Sequence, residues 1–368
     1  MQTLTVALAV AFAVAMLLVR HRRLHLGVTG DVADRGPQKF HIGTVPRVGG
    51  VAVALALAVA LGWSAWRGLV GGEAAALLSA GLVALATGLA EDLTKRVSPR
   101  VRLLGTVVAA AIALGLTGVH LQRLDLPWVD AWMAWVPPGV ALGWAPLGVA
   151  ITLLGVAGLS HAINIIDGFH GLAAGVGVFM FAALGYVAWV VGDVLVLQMC
   201  LAMLGALLGF LLWNYPRGLI FLGDGGAYLV GFWLAQAGVW LVARNPQVSP
   251  WFVLLVCAYP VVETLFSIYR KRIVRGRSPA VPDGLHLHML IHRRLLRWAA
   301  GPGAGRDLNA RNAATAPYLW GMCAIGVVPA VLWWHNAAVL KASMVLFMIV
   351  YLWSYARLLT KRKRGKGG

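Results

Sequence analysis

Two adjacent acidic residues, Glu91 and Asp92, close an apolar run in the segment "GLAEDLTKRVSPRVRLL". If that run is a helix, both carboxylates lie near its C-terminus, where the helix dipole disfavours negative charge. An unfavourable placement indicates a chemical task, such as holding a cation or activating a substrate. The alternative is a solvated acidic pair beside Lys95 and Arg96.

Asp224 is a third acidic candidate, and it lies among glycines in "WNYPRGLIFLGDGGAYLVGF". We expect it in a short loop between two apolar helices, where the missing side chains let a phosphate or hydrated Mg²⁺ approach closely. The alternative is an ordinary glycine-rich turn with a turn-forming aspartate. Asn214, in the same segment, is a candidate substrate-binding residue.

Asn164 and Asp167 form a polar pair in "HAINIIDGFHGLAAG", between two apolar runs. Their spacing of i, i+3 places both side chains on one helical face. An ionisable residue at a membrane boundary is by default a functional hypothesis, although a helix cap would also explain either residue alone.

Three histidines, His286, His288 and His292, follow an arginine-rich stretch in "RGRSPAVPDGLHLHMLIHRR". Histidine spacing of this kind allows a zinc site, but the segment has no cysteine and its arginines would repel a cation. Arginine, including Arg277, together with histidine suits a diphosphate better. A basic loop that only orients the helices is the third interpretation.

The segment "DVADRGPQKFHIGTVPRVGG" carries Lys39 and His41 before a Pro-Arg-x-Gly-Gly turn. It is interpreted as a second loop that binds an anion or faces lipid.

The elements that must position these residues are membrane helices. The chain of 368 residues is 60% hydrophobic and only 12% charged, which excludes an ordinary soluble domain. Apolar runs long enough to cross a bilayer recur along its length. The three cysteines lie inside such runs, without a disulfide or metal pattern. The sequence predicts an all-α polytopic membrane protein with about eleven helices, at 3–19, 48–66, 74–90, 103–120, 145–161, 172–191, 194–213, 226–243, 250–269, 317–334 and 338–356.

Basic residues predict the orientation of these helices. If segment 20–47 is cytoplasmic, alternation places 27 of the 31 Lys and Arg residues on the cytoplasmic side, as the positive-inside rule demands. The N-terminus is then periplasmic and the C-terminus cytoplasmic. The net charge of +18 follows largely from this topology, so membrane lipids are expected partners and nucleic acid is not.

The same orientation puts every candidate segment on one face of the membrane. Carboxylates at Asp92, Asp167 and Asp224 can then converge on Mg²⁺, with Mn²⁺ as the alternative ion, and basic groups nearby suit phosphoryl chemistry. We predict one transmembrane catalytic domain, 1–356, and a basic tail, 357–368. Its active-site loops are 20–47, 91–102, 161–171, 214–225 and 270–316.

Five motifs in order, "GPQKFHIGTVPRVGG", "GLAEDLTKRVSPRVRLL", "NIIDGFHGLAAG", "FLGDGGAYLVGF" and "PDGLHLHMLIHRR", resemble the polyprenyl-phosphate N-acetylhexosamine-1-phosphate transferases. These are glycosyltransferases of family 4 type, related to the muramoyl-pentapeptide translocase. The resemblance implies transfer of a sugar 1-phosphate from a UDP-sugar to undecaprenyl phosphate, with Mg²⁺ and release of UMP. It also implies a bacterial inner-membrane location and initiation of a cell-surface glycan such as an O-antigen.

The resemblance implies roles residue by residue. Glu91 and Asp92 match the acidic pair implicated in activating the lipid phosphate, and Asp224 matches the metal-binding aspartate, with Asp92 as a second metal ligand. Asn164 and Asp167 match the nucleotide motif, and Asp167 is counted as catalytic. The remaining matches are the diphosphate histidines and the basic first loop: His286, His288, Lys39 and His41.

Two departures separate this chain from the family's commoner pattern. The first acidic residue is Glu91 where aspartate is usual, and His170 stands where a second aspartate often follows. His170 is therefore the position we expect to bear on the choice of donor. A transporter or lipid flippase, and a catalytically altered family member, are the alternatives, and the sequence leaves open whether a homodimer forms.

Overall fold

The computed structural model describes residues 1–32, 43–136, 144–276, 278, 284–295 and 308–360. Lys39, His41 and Arg277 lie outside these residues. Helices make up most of the described chain, in the order α1 Gln2–Arg20, α2 Arg22–Thr29, α3 Gly49–Trp66, α4 Gly72–Thr94, α5 Pro99–Thr117, α6 Pro127–Met133, α7 Pro146–Ile166, α8 Leu172–Val190, α9 Val194–Asn214, α10 Gly223–Arg244, α11 Pro250–Val256, α12 Ala258–Tyr269, α13 Leu287–Leu290, α14 Leu308–Ala313, α15 Thr315–Leu332 and α16 Ala337–Thr360.

The predicted membrane helices are confirmed in number. Ten helices of the described chain are long and apolar enough to cross a membrane, and an eleventh span results if the bent pair α11 and α12 is counted as one. The protein is therefore a multi-pass membrane protein. Several helices extend past their predicted ends by up to five residues, because the predicted boundaries stopped where polar side chains began.

The predicted helix 250–269 is not straight. Its two halves meet at Cys257 with a bend of 74°. The cause is Pro260, which lacks the amide that would bond to Val256 and whose ring would clash with that carbonyl in a continuous helix. A break before residue 258 leaves Pro260 in the first turn of α12, where proline is tolerated.

Segment 20–47 was expected to be a loop, but part of it is ordered secondary structure. Helix α2 leads into strand β1, Gly30–Val32, which pairs antiparallel with β2, Thr44–Pro46. The backbone continues from β2 into contact with the segment before α10, where Phe221 N donates to Pro46 O at 2.9 Å. This ribbon holds the entrance of α3 against the entrance of α10.

Helix α10 is the centre of the bundle. In its apolar stretch of 18 residues, 94% of the residues are buried. The helix packs against α3, α4, α7, α8 and α9. Glycines permit the closest approaches: a Cβ on Gly50 would lie 2.4 Å from Gly226 N, and one on Gly88 would lie 2.4 Å from the Asp224 carbonyl carbon. The backbones of α3, α4 and α10 therefore touch at the end of the bundle that carries the acidic motifs.

We expect Gly88→Ala to destabilise the protein, because the added methyl must push α4 away from Asp224. Overpacking of this kind costs roughly 1–3 kcal/mol. The measurement is the apparent melting temperature in detergent. Gly115→Ala is the matched control, since Gly115 lies in α5 with nothing within 4 Å of its Cβ position. Equal melting temperatures for the two variants would contradict the proposed backbone contact.

Candidate active site

Four helix ends meet at one end of the bundle: the starts of α3 and α10 and the ends of α4 and α7. Main-chain hydrogen bonds fix the first pair, because Gly49 N donates to Phe221 O and Gly50 N donates to Leu222 O, each at 2.9 Å. This end carries Asp92 on α4, Asn164 on α7 and Asp224 on α10. The sequence-predicted residues are therefore brought together by helix packing.

Asp224 lies in the first turn of α10, and not in the loop that the sequence analysis predicted. Both of its carboxylate oxygens are held by other elements. Arg47 Nη2 donates to Oδ1 at 2.8 Å, Asn164 Nδ2 donates to the same oxygen at 3.0 Å, and Arg102 Nη1 donates to Oδ2 at 2.7 Å. The side chain is only 10% exposed, so these ion pairs are partly shielded from solvent.

Asp92 lies beside Asp224 and is almost completely buried, with 1% of its surface exposed. Its Oδ2 accepts a hydrogen bond from Gly225 N at 2.9 Å, and its Oδ1 lies 3.3 Å from Arg47 Nε. Arg47 therefore bridges the two aspartates. We call Asp92, Asp224, Arg47 and Arg102 the acidic–arginine cluster.

Glu91 turns toward a different partner. Its Oε2 accepts a hydrogen bond from Val97 N at 2.8 Å, which ties the end of α4 to the turn that leads to α5. The two members of the acidic pair thus have different surroundings. Asp92 is a member of the cluster, whereas Glu91 stabilises the turn before α5, the helix that carries Arg102 in its first turn. A catalytic role for Glu91 stays a prediction.

Asp167 lies one residue beyond the end of α7, and the prediction that its side chain shares a face with Asn164 stays a prediction. Helix α7 ends at Ile166, and Asp167 is its C-cap residue, with φ −77° and ψ 59°, because the chain must turn into the glycine-rich start of α8. Burial, and to a smaller extent the neighbouring Asp224 and Asp92, raise the pKa of Asp167 to about 7 against the opposing effect of Arg47. The Asp167 carboxyl group therefore interacts electrostatically with Arg47, Asp224 and Asp92 of the cluster.

The histidine segment joins the site through α13. His288 is fully buried and packs beside Gly168, whose Cβ position is 3.4 Å from His288 Nε2. Burial, and secondarily the neighbouring His286, lower the pKa of His288 to about 3, so the ring is neutral. Within the described chain neither ring nitrogen has a hydrogen-bond partner.

His286 is anchored by Glu263 of the bent span. Glu263 Oε1 lies 2.8 Å from His286 Nδ1, Leu287 N donates to Glu263 Oε2 at 3.2 Å, and Tyr351 Oη donates to Glu263 Oε2 at 2.9 Å. An ionisable side chain inside an apolar span is commonly part of an ion or substrate pathway. The partners of Glu263 give it a positioning role instead.

His170, in the turn before α8, and Asn214, at the end of α9, are both buried. Gly171 N donates to Asn214 Oδ1 at 2.6 Å, and Asn214 Nδ2 donates to Ile220 O at 2.7 Å. His170 Nδ1 lies 3.2 Å from Pro216 O. These contacts hold the connection before α10 against the connection before α8, and contact of either residue with substrate stays a prediction.

Sequence reasoning missed Arg47 and Arg102. Both were assigned to topology, as positive charges on the cytoplasmic side. The Pro-Arg-x-Gly-Gly turn was a visible signal for Arg47, but nothing local in sequence marks Arg102.

The helices and this cluster define a class: a polytopic membrane protein with a buried acidic and arginine-containing centre at one end. The model of glycosyl transferase family 4 matches residues 74–242, which include Asp92, Asn164, Asp167 and Asp224. The match supports the family that the order of the motifs predicts.

Curated relatives are bacterial. The undecaprenyl-phosphate alpha-N-acetylglucosaminyl 1-phosphate transferase of Salmonella typhi is 29% identical over 268 residues, which cover 70% of this chain and 67% of that relative. The probable undecaprenyl-phosphate N-acetylglucosaminyl 1-phosphate transferase of Bacillus subtilis is 26% identical, covering 77% and 76% of the two chains. The Escherichia coli K12 enzyme with the Salmonella enzyme's name is 33% identical over a shorter part, 40% of this chain and 41% of the relative.

We expect Asn214→Ala to destabilise the protein by roughly 1–3 kcal/mol, because Gly171 N and Ile220 O lose their partner in a buried place. The apparent melting temperature in detergent measures the effect. Gln122→Ala, at an exposed position, is the control and should leave the melting temperature unchanged. A stable Asn214→Ala variant would show that the two connections are held together by other contacts.

Proposed function

We propose that the protein transfers an N-acetylhexosamine 1-phosphate from a UDP-sugar to undecaprenyl phosphate and releases UMP, which starts a lipid-linked cell-surface glycan. The observation that carries the proposal is the acidic–arginine cluster at one end of a membrane bundle. It combines carboxylates for a cation with guanidinium groups for phosphates. The names of the relatives supply the substrate class, and three of the cluster's four members, Asp92, Arg102 and Asp224, lie in the family-matched range.

The cluster fits a divalent cation that keeps substrate in its shell. In the described ranges no three His, Cys, Asp or Glu side chains form a group that could hold a metal by themselves. Asp224 and Asp92 nevertheless supply two adjacent carboxylates, and Asp92 Oδ1 is buried and accepts no hydrogen bond from the described residues. Mg²⁺ is usually bound by one or two carboxylates together with water and phosphate oxygens. Asp224 and Asp92 would hold Mg²⁺, or Mn²⁺, which would neutralise charge on the diphosphate.

The reaction needs positioning more than proton transfer. An oxygen of the lipid phosphate attacks the phosphorus nearer the sugar, and the bond from that phosphorus to the bridging oxygen breaks as UMP leaves. A phosphate monoester has a second pKa near 6 and is mostly dianionic at neutral pH, so no strong base is required. Asn164 therefore acts by fixing the Asp224 carboxylate, and Asp92 would act by holding the cation beside it.

Two cavities suit the two substrates. A cavity of about 490 Å³ is lined by Arg22, Arg23, Arg217 and His170, and its positive charge suits the nucleotide end of the donor. A second cavity, of about 570 Å³, is lined mainly by apolar side chains of α7, α10, α11 and α12. It extends along α7 to Ala162, two residues before Asn164, and suits the first isoprene units of the lipid acceptor.

Donor access requires the cluster to face the cytoplasm of a bacterial inner membrane, with a periplasmic N-terminus and a cytoplasmic C-terminus. The excess of basic residues at the cluster end supports this orientation.

The orientation can be tested with single cysteines at exposed positions on opposite ends, Gln122→Cys and Arg96→Cys. In cells with a permeabilised outer membrane, an impermeant maleimide should label the variant at 122 at once and the variant at 96 only after the inner membrane is opened. The parent protein is the control, because Cys200, Cys257 and Cys323 are buried. The reverse labelling pattern would refute the orientation.

The activity is tested by UMP release in detergent from a panel of UDP-N-acetylhexosamines, with undecaprenyl phosphate and Mg²⁺. We expect turnover with at least one donor, dependence on both the lipid and the cation, and a loss of roughly 10²-fold or more in Asp224→Asn and Asp92→Asn, as for removal of a preorganised electrostatic group. Glu73→Gln is the matched control, since Glu73 is an exposed carboxylate at the other end of α4.

Absence of turnover with every donor, from folded protein, would contradict the proposal and favour a catalytically altered family member. Full activity of Asp224→Asn would contradict the site.

A further inference from the structure

The acidic–arginine cluster is arranged so that a cation and an arginine compete for the same carboxylate. Arg47 and Arg102 donate to different oxygens of Asp224, at 2.8 and 2.7 Å, and Asn164 completes the set. Three of the roughly four lone-pair sites of the Asp224 carboxylate are occupied by these donors. A metal ion that binds Asp224 therefore has one site left on Oδ2 and is repelled there by two guanidinium groups.

The formal charges of the cluster cancel. Asp92 and Asp224 contribute two negative charges, and Arg47 and Arg102 contribute two positive charges within hydrogen-bonding or ion-pair distance of them. A divalent cation alone would leave two positive charges in excess in a partly buried place, where like charges repel strongly. A diphosphate that enters with the cation removes this excess.

Two buried atoms show what the cluster lacks. Asp92 Oδ1 is in ion-pair contact with Arg47 Nε at 3.3 Å but accepts no hydrogen bond from any described residue, and Arg102 Nε donates none to any described residue. One is an unused acceptor, suited to a cation, and the other is an unused donor, suited to a phosphate oxygen. A cation and a phosphate that bind together would give partners to both atoms, Asp92 Oδ1 and Arg102 Nε. Neither ligand alone would do so.

The two arginines can move without unfolding the site. Their backbones are fixed, since Arg47 N donates to Thr29 O at 2.9 Å and Arg102 N donates to Ser98 O at 3.1 Å. Their side chains are 27% and 21% exposed, so the guanidinium groups border open space. A rotation of the side chain is enough to transfer a guanidinium group from a carboxylate to a nearby phosphate.

We propose that Arg47 and Arg102 are exchangeable counter-ions of Asp224, which leave the carboxylate for the phosphates of the substrate when a divalent cation and a diphosphate bind together. The inference rests on the proposed function for the identity of the diphosphate. Binding of the cation and of the nucleotide is then positively coupled, and linkage requires each ligand to strengthen the other by the same factor. The coupling keeps the site from holding a cation tightly when no substrate is present.

The test measures Mn²⁺ binding to the full-length protein in detergent, from the free-ion electron paramagnetic resonance signal, with and without saturating UDP. We expect UDP to raise the affinity of wild-type protein for Mn²⁺ by between about 5- and 150-fold, the usual range of coupling between sites. Titrations of Mn²⁺ with UDP alone, and with Asp224→Asn protein, give the amount of ion that the nucleotide holds by itself.

Variants of Arg102 distinguish the effect of its positive charge from the effect of its shape. Arg102→Gln should bind Mn²⁺ alone at least about fivefold more tightly than wild type and lose most of the coupling, because one competing positive charge is gone. Arg102→Lys keeps the charge and should retain the coupling in large part. Arg100→Gln, an exposed arginine two residues away on α5, is the matched control and should behave as wild type.

Equal Mn²⁺ affinity of wild-type protein with and without UDP would overturn the counter-ion proposal, and so would an Arg102→Gln variant with unchanged affinity and coupling. If Arg102→Gln does not fold, the wild-type coupling decides the question by itself. UMP release without coupling would refute this inference and leave the proposed function standing. Coupling in a protein that releases no UMP with any donor would support the inference and refute the transferase.

Discussion

The structure depends on one electrostatic constraint, the need to neutralise Asp224 where it is largely buried at the boundary of a membrane bundle. A buried carboxylate is strongly destabilising unless it is paired and hydrogen-bonded. The partners of Asp224 come from three other elements: Arg47 before α3, Arg102 in α5 and Asn164 in α7. Because these donors are distant in sequence, pairing at Asp224 requires the ends of four helices to be in place at once. The same contacts therefore build the candidate active site and pack this end of the bundle.

Close backbone packing makes this pairing geometrically feasible. Glycines on α3 and α4 let both helices touch the first turn of α10, and a side chain at Gly50 or Gly88 would separate them. The histidine segment is fixed in an analogous way from the other side, where Glu263 holds the start of α13 through His286. Two buried carboxylates thus organise the site: Asp224 gathers the helix ends, and Glu263 attaches the longest connection to them.

The sequence predicts the helices well because apolar runs of bilayer length are a direct physical signal. It predicts helix ends less well, since α4 and α10 continue through the polar residues at which the apolar pattern stops. The bend at Cys257 was readable from Pro260 in retrospect. The arginine partners were not, because Arg47 and Asp224 are 177 positions apart and Arg102 and Asp224 are 122 apart. Their pairing is a property of tertiary packing. In the sequence, the orientation of the helices in the membrane was already a sufficient explanation for both arginines.

That alternative explanation and the observed role are compatible, and this has a consequence for the mechanism. The positive-inside rule concerns insertion, when the loops are solvated and every Lys or Arg near a helix end counts equally. After folding, Arg47 and Arg102 are partly withdrawn from water and face carboxylates, so their charge no longer acts on the lipid headgroups. In the proposed reaction, a lipid phosphate that approaches along the apolar cavity beside α7 would meet a cluster of balanced charge. It would gain attraction there only when a cation adds positive charge, which would couple access of the acceptor to occupation of the proposed cation site.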